Sequence, residues 1–118
     1  MLVLTGGTLI DGTGGPTLPN ATVLVNDQGR IEAVGKQGEV ALPPDCQVID
    51  LIGLTLLPGL IDCHDHLTSF GYDLVGRWGM AEPRSTRVLR VAKVMEETLL
   101  SGYTAIRDCG WLDVGYKQ

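Results

Sequence analysis

The sequence is short of basic charge: nine Lys and Arg face fourteen Asp and Glu, for a formal net charge of −5. Sequence-independent binding to nucleic acid rests on clustered cations set against phosphates, so that class is excluded. Long apolar runs are missing too. The strongest, Leu51 to Ile61, is broken by Gly53, Pro58 and Gly59, and no basic start precedes an apolar stretch, so neither a leader peptide nor a membrane partner is expected. Cysteine is sparse and odd in number, as Cys46, Cys63 and Cys109 without CxxC spacing. Such usage fits reduced thiols better than a disulfide framework, and it makes the cytoplasm the expected compartment. A phosphate cradle is absent as well: Gly12-Thr13-Gly14-Gly15 is followed by no helical pattern, so it reads as a turn. What the 118 residues do hold is a 44% hydrophobic content, enough for a packed core of single-domain size.

Residues 1–56 read as a β subdomain of short strands: Met1 to Thr5, Thr8 to Ile10, Ala21 to Asn26, Arg30 to Gly35, Gln47 to Asp50 and Thr55 to Leu57, punctuated by Gly, Pro, Asn and Asp. An antiparallel arrangement is expected, with Thr22–Val25 and Arg30–Val34 forming a hairpin across Asn26-Asp27-Gln28-Gly29. Residues 57–118 change character. The apolar run Leu56 to Cys63 suits a strand covered on both faces. A long loop, Leu67 to Pro83, then carries Phe70, Tyr72, Arg77 and Trp78. Ser85 offers an N-cap for a helix from about Thr86 to Ser101, and Gly102 fits the position just past its end. Val88, Val91, Ala92, Met95, Leu99 and Leu100 share one helical face and should pack. Tyr103 to Cys109 reads as the next strand, completing a strand, helix, strand unit of the right-handed crossover kind that builds parallel sheets. The fold class is therefore α/β.

Chemistry concentrates at the end of the first apolar strand. The chain has two histidines, His64 and His66. Residues two apart in a strand project to one side, so both imidazoles aim at one point. Neutral imidazole ligates zinc and other first-row divalent metals; an arbitrary HxH is as readily a pair of polar rings at a surface turn. Asp62 shares their alternation and is a candidate to orient a ligating ring from behind, or else a carboxylate bonded to backbone N–H groups. Asp108, near the end of the next strand, either supports the same site or caps a turn. Cys63 and Cys109 sit at comparable heights on successive strands, where Cys usually packs as a small hydrophobe. The loop aromatics are candidates for a pocket wall, and Arg77 and Arg84 for carriers of a substrate carboxylate.

Leu57-Pro58-Gly59-Leu60-Ile61-Asp62-Cys63-His64-Asp65-His66 resembles the first-strand signature of the amidohydrolase superfamily, PG[LF]IDxHxH. The opening Leu4 to Gly12 and the stretch Arg30 to Gly35 are similar to the β-sandwich that precedes the barrel in these proteins. Ser101 to Asp108 resembles the "GxTTVRD" second strand of the prolidase-type, Xaa-Pro dipeptidase-like branch. The resemblance implies the N-terminal part of a metal-dependent (β/α)8 TIM barrel behind a small β-sandwich subdomain. It also implies one or two divalent metals, zinc by preference, with His64 and His66 as first-strand ligands.

The activity so implied is hydrolysis of a C–N bond, other than by endopeptidase cleavage, in a dipeptide-like or cyclic amide. The family's remaining parts are a carboxylated Lys, two further His on later strands and an Asp on the last strand, and none has a counterpart here. A complete barrel takes roughly 200 residues or more, and residues 57–118 supply two of eight strands. The 118 residues alone are accordingly expected to be inactive. Their expected partners are a small-molecule substrate and either a second copy or the remainder of the barrel. Two rivals stand beside the hydrolase: a scaffold protein derived from the same fold, and a small metal module built on Cys63, His64, His66 and Cys109.

Overall fold

The computed structural model describes residues 1–68, 83–110 and 112–117. The chain divides into two compact units, Met1–Pro58 and Gly59–Gln118. The predicted loop residues Phe70, Tyr72, Arg77 and Trp78 lie outside the described residues.

The first unit is a five-stranded sheet built on β1 (Leu2–Leu9), β2 (Leu18–Val25), β3 (Ile31–Lys36), β4 (Gln47–Asp50) and β5 (Thr55–Leu56). The strand order is β3-β2-β1-β4, with β5 also on β1. The expected hairpin is β2 against β3, with Val23 opposite Val34 and Leu24 opposite Ala33. Its turn is closed by Asn26, whose side-chain oxygen accepts from the N–H groups of Gln28 (3.1 Å) and Arg30 (3.0 Å). Gly29, at φ +71°, supplies the left-handed residue that such a turn requires.

The remainder of the sheet departs from the antiparallel expectation, because β4 and β5 run parallel to β1. The chain passes from β3 to the far side of β1 before pairing, so β4 enters in β1's own direction. Met1 to Thr5 and Thr8 to Ile10, read as two strands, form one strand with register shifts about Gly7. Gly6, at φ +87°, and Gly7 make room there for the turn between β4 and β5: a Cβ on Gly7 would stand 2.9 Å from Leu51 Cβ and 3.0 Å from the Leu54 carbonyl. Val3, Ala21, Thr22, Val23 and Leu24 are buried, and within that core the Thr5 and Thr22 hydroxyls bond to each other at 2.8 Å.

The second unit pairs β6 (Leu60–Asp65) with β7 (Tyr103–Asp108) in parallel, joined through α1 (Arg84–Leu100) and followed by a 3-10 turn, Val114–Lys117. Parallel neighbours need a crossover of a dozen or more residues, and α1 lies in it. Its start is Pro83, with no side-chain cap bond, so Ser85 lies inside the first turn rather than capping it. Its end is as expected: Gly102, at φ +97°, takes the left-handed position, and its N–H donates to the Leu99 carbonyl at 2.9 Å.

The packed face of α1 is rotated from the predicted stripe. Val91 and Val94 are buried and Arg90, Met95 and Thr98 half-buried, whereas Val88, Ala92, Leu99 and Leu100 are exposed. Val91 and Met95 of the expected stripe are packed, and the rest of it is open where, among the described residues, the second unit's sheet holds only β6 and β7. The strand predicted to run from Leu56 is interrupted: Leu57, Pro58 and Gly59 separate β5 from β6, and Leu60 and Ile61 are exposed where β6 pairs with β7 alone.

Candidate metal centre

The elements of the second unit converge on the carboxyl ends of β6 and β7. β6 finishes at Asp65, so His64 is its penultimate residue and His66 the first beyond it. The alternation expected from the sequence brings the two rings together. Their centroids are 5.1 Å apart with the planes at 64°, and the two Nε2 atoms are separated by 3.2 Å. Both rings are solvent-exposed.

A pair of neutral imidazoles at this spacing shares one hydrogen bond, one ring donating its Nε2–H to the other's lone pair. The same spacing answers a second requirement. Two nitrogens bound to one tetrahedral zinc at 2.0–2.1 Å stand about 3.3 Å apart, close to the separation the pair holds, with both ring protons then on Nδ1. The donor chemistry and spacing therefore fit two ligands of one divalent ion. No group of three or more His, Cys, Asp or Glu side chains suited to a metal is found among the described residues.

Asp62 and Asp108, each a candidate either to support the rings or to bond backbone, bond to backbone N–H groups here, as does Asp65. Asp62 Oδ1 accepts from the His64 N–H at 2.9 Å, holding the strand rather than the imidazole. Asp65 Oδ1 accepts from the His66 N–H at 2.7 Å. Asp108 spans both strand ends: Oδ2 accepts from the Leu67 N–H at 3.0 Å and Oδ1 from the Gly110 N–H at 2.9 Å. All three free cysteines are accounted for as thiols, Cys46 half-buried and Cys63 and Cys109 exposed. Cys109 Sγ lies 3.6 Å from the Arg107 carbonyl, and the imagined four-ligand module of Cys63, His64, His66 and Cys109 is not assembled among the described residues. Arg84 is the first residue of α1 and exposed.

Two residues that the sequence reading passed over join this region. The Arg90 guanidinium donates to the Thr68 carbonyl at 2.8 Å, and the Thr68 hydroxyl donates to the Gly110 carbonyl at 3.2 Å. The signal for Arg90 was its spacing of four and eight from Val94 and Thr98, which puts it on the packed face of α1.

No family model matches the chain. An imidazolonepropionase from Idiomarina loihiensis is 41% identical over 68 residues, 58% of this chain and 16% of that protein. A dihydroorotase from Leifsonia xyli subsp. xyli is 32% identical over 133 aligned positions, covering 98% of this chain and 28% of that protein. Among solved structures, a prolidase complexed with N-methylphosphonate-L-proline superimposes with a TM-score of 0.80 at 31% identity, over 98% of this chain and 27% of the prolidase. The homologues and structural neighbours of this chain are amidohydrolase-superfamily members. The chain corresponds to the N-terminal portion of these α/β proteins and spans about a quarter or less of the length of the relatives just named. The superfamily members it resembles are hydrolases. No helix among the described residues is long and apolar enough to cross a membrane.

Proposed function

We propose that the complete protein is a metal-dependent amidohydrolase that cleaves a C–N bond, other than as an endopeptidase, in a dipeptide-like or cyclic amide. One observation carries this reading: two imidazole Nε2 atoms held 3.2 Å apart at the carboxyl end of a parallel strand pair. That edge is where parallel α/β proteins present ligand-binding residues. His64 and His66 would hold a divalent ion, zinc by preference, as one or two per complete site, with Asp62 and Asp108 in the surrounding shell. A bound divalent ion there would lower the pKa of water and polarise the scissile carbonyl. The chain's own Asp62 and Asp65 hold the backbone N–H groups of His64 and His66, and Asp108 that of Leu67, fixing the strand end that carries the two rings.

On this reading residues 1–56 form the β-sandwich-like subdomain and residues 57–118 open a TIM barrel whose other strands supply the remaining ligands. The dipeptidase-like assignment draws support from the prolidase likeness, and the cyclic amide from the dihydroorotase and imidazolonepropionase relatives. Free thiols on all three cysteines suit a reducing, cytoplasmic setting.

The test is metal analysis of the complete protein by plasma mass spectrometry, alongside hydrolysis of Xaa-Pro dipeptides and cyclic amides. One or two metals per chain and chelator-sensitive hydrolysis are expected. His64→Asn and His66→Asn should each lower metal content and abolish turnover. Full metal occupancy in the double variant, or hydrolysis indifferent to chelator, would refute the proposal.

A further inference from the structure

The turn that follows His66 is fixed from three sides, and each tie ends on backbone. Asp108 joins the Leu67 N–H to the Gly110 N–H, thereby fastening the exit of β6 to the exit of β7. The Thr68 hydroxyl closes the same gap by donating to the Gly110 carbonyl. From α1, Arg90 donates to the Thr68 carbonyl at 2.8 Å. The Cys109 N–H completes the seam by donating to the Asp65 carbonyl at 2.7 Å. Leu67 and Thr68 are 1% and 7% exposed, so the turn is anchored in the packed layer even though the ring before it is open to solvent.

Gly110 is the element that ties this frame to the ring. A Cβ built on it would stand 3.6 Å from His66 Nδ1 and 3.8 Å from Cε1, so the Gly110 backbone faces the imidazole across the space of one methyl group. The residue facing the His66 ring is thus held at its N–H by Asp108 and at its carbonyl by Thr68.

We infer that Arg90 and Asp108 act as one positioning clamp that fixes the His66 imidazole through the Leu67–Thr68 turn and Gly110, and so sets metal affinity without either side chain contacting the metal. The inference rests on the metal-centre reading above and adds to it a helix residue and a route through backbone. Ligand rings gain affinity when their orientation is settled before the ion binds, and loss of outer supports typically costs about 10–100-fold in metal affinity. Arg90 and Asp108 meet on the same short turn, so removing either frees the same ring and their effects are not additive.

The experiment uses the complete protein and reads the zinc dissociation constant by chelator competition, with the melting temperature of the metal-free form beside it. Arg90→Met and Asp108→Asn should each weaken zinc binding by about 10-fold or more. The double variant should fall well short of the product of the two, while Arg90→Lys, which keeps a donor for the Thr68 carbonyl, recovers part of the loss. His66→Asn is the control for the underlying reading: unchanged zinc affinity there overturns the metal centre itself. If His66→Asn loses zinc while Arg90→Met and Asp108→Asn bind it as the wild type does, the clamp is overturned and the metal centre stands. It is equally overturned if the two single losses multiply in the double variant, or if the variants lower only the metal-free melting temperature.

Discussion

Replacing Gly59 with Ala tests how tightly β6 and β7 are joined. A Cβ on Gly59 would overlap Oγ1 and Cγ2 of Thr104 and stand 2.6 Å from its Cβ. Side-chain rotation can move the first two atoms, but the Thr104 Cβ is placed by backbone, so no rotamer relieves the third contact. The backbone has little freedom to retreat, because the Leu60 N–H donates to the Gly102 carbonyl at 2.8 Å immediately beside the clash and Leu60 pairs with Tyr103. Gly59 does not lie in the left-handed region, so the expected cost is steric. Overpacking of a well-joined site costs about 1–3 kcal/mol, and the overlap of three atoms puts Gly59→Ala at the upper end, about 3 kcal/mol. Equilibrium urea unfolding followed by far-UV circular dichroism measures it. The same substitution should cost about 1–2 kcal/mol in a Thr104→Ala background, where only the Cβ contact remains, and well under 1 kcal/mol with Thr104→Gly. A cost for Gly59→Ala below about 0.5 kcal/mol, or one identical in all three backgrounds, would refute the reasoning.

Two other perturbations follow from the structure. Gly102→Ala places a side chain at φ +97° and should destabilise the end of α1 by about 1 kcal/mol; equal stability by urea unfolding would contradict the left-handed cap. Asp11 is held below its ordinary 3.8, first by the Thr13 N–H at 2.9 Å and then by the Thr13 hydroxyl at 2.8 Å. A depressed carboxyl contributes stability above its unfolded-state value and loses it as pH falls through the lower native one. The carboxyl carbon shift of Asp11 should therefore titrate below 3.8, and Thr13→Ala should move the midpoint upward. Because the group is fully exposed, the whole-chain melting temperature should barely respond, and a midpoint unmoved by Thr13→Ala would remove the Asx-turn as the cause.

Much of the second unit was readable because its signals are local. Leu60 to His66 alternates about one strand, and the i,i+2 rule alone brings the rings of His64 and His66 to one side. Gly102 ends a helix wherever its neighbours lie, since the left-handed position is a property of one residue. The Asn26 to Gly29 turn is likewise written in residues whose side chains and φ values close it without outside help. The resemblance to the amidohydrolase superfamily was legible for the same reason, as its signature is a contiguous run.

Local sequence determined the hairpin, the helix and its glycine stop, the parallel pair β6–β7 and the meeting of two imidazoles. Only tertiary structure decided that β4 and β5 run beside β1 in parallel, because strand direction there depends on where a connection crosses the sheet. Asp62 and Asp108 were visible as carboxylates near two histidines, but their partners are backbone N–H groups, in the case of Asp108 as far as 41 residues away. The clamp of Arg90, Thr68, Gly110 and Asp108 has no contiguous pattern, because a hydrogen bond to a distant peptide uses geometry that every residue's backbone offers and the fold alone brings within reach.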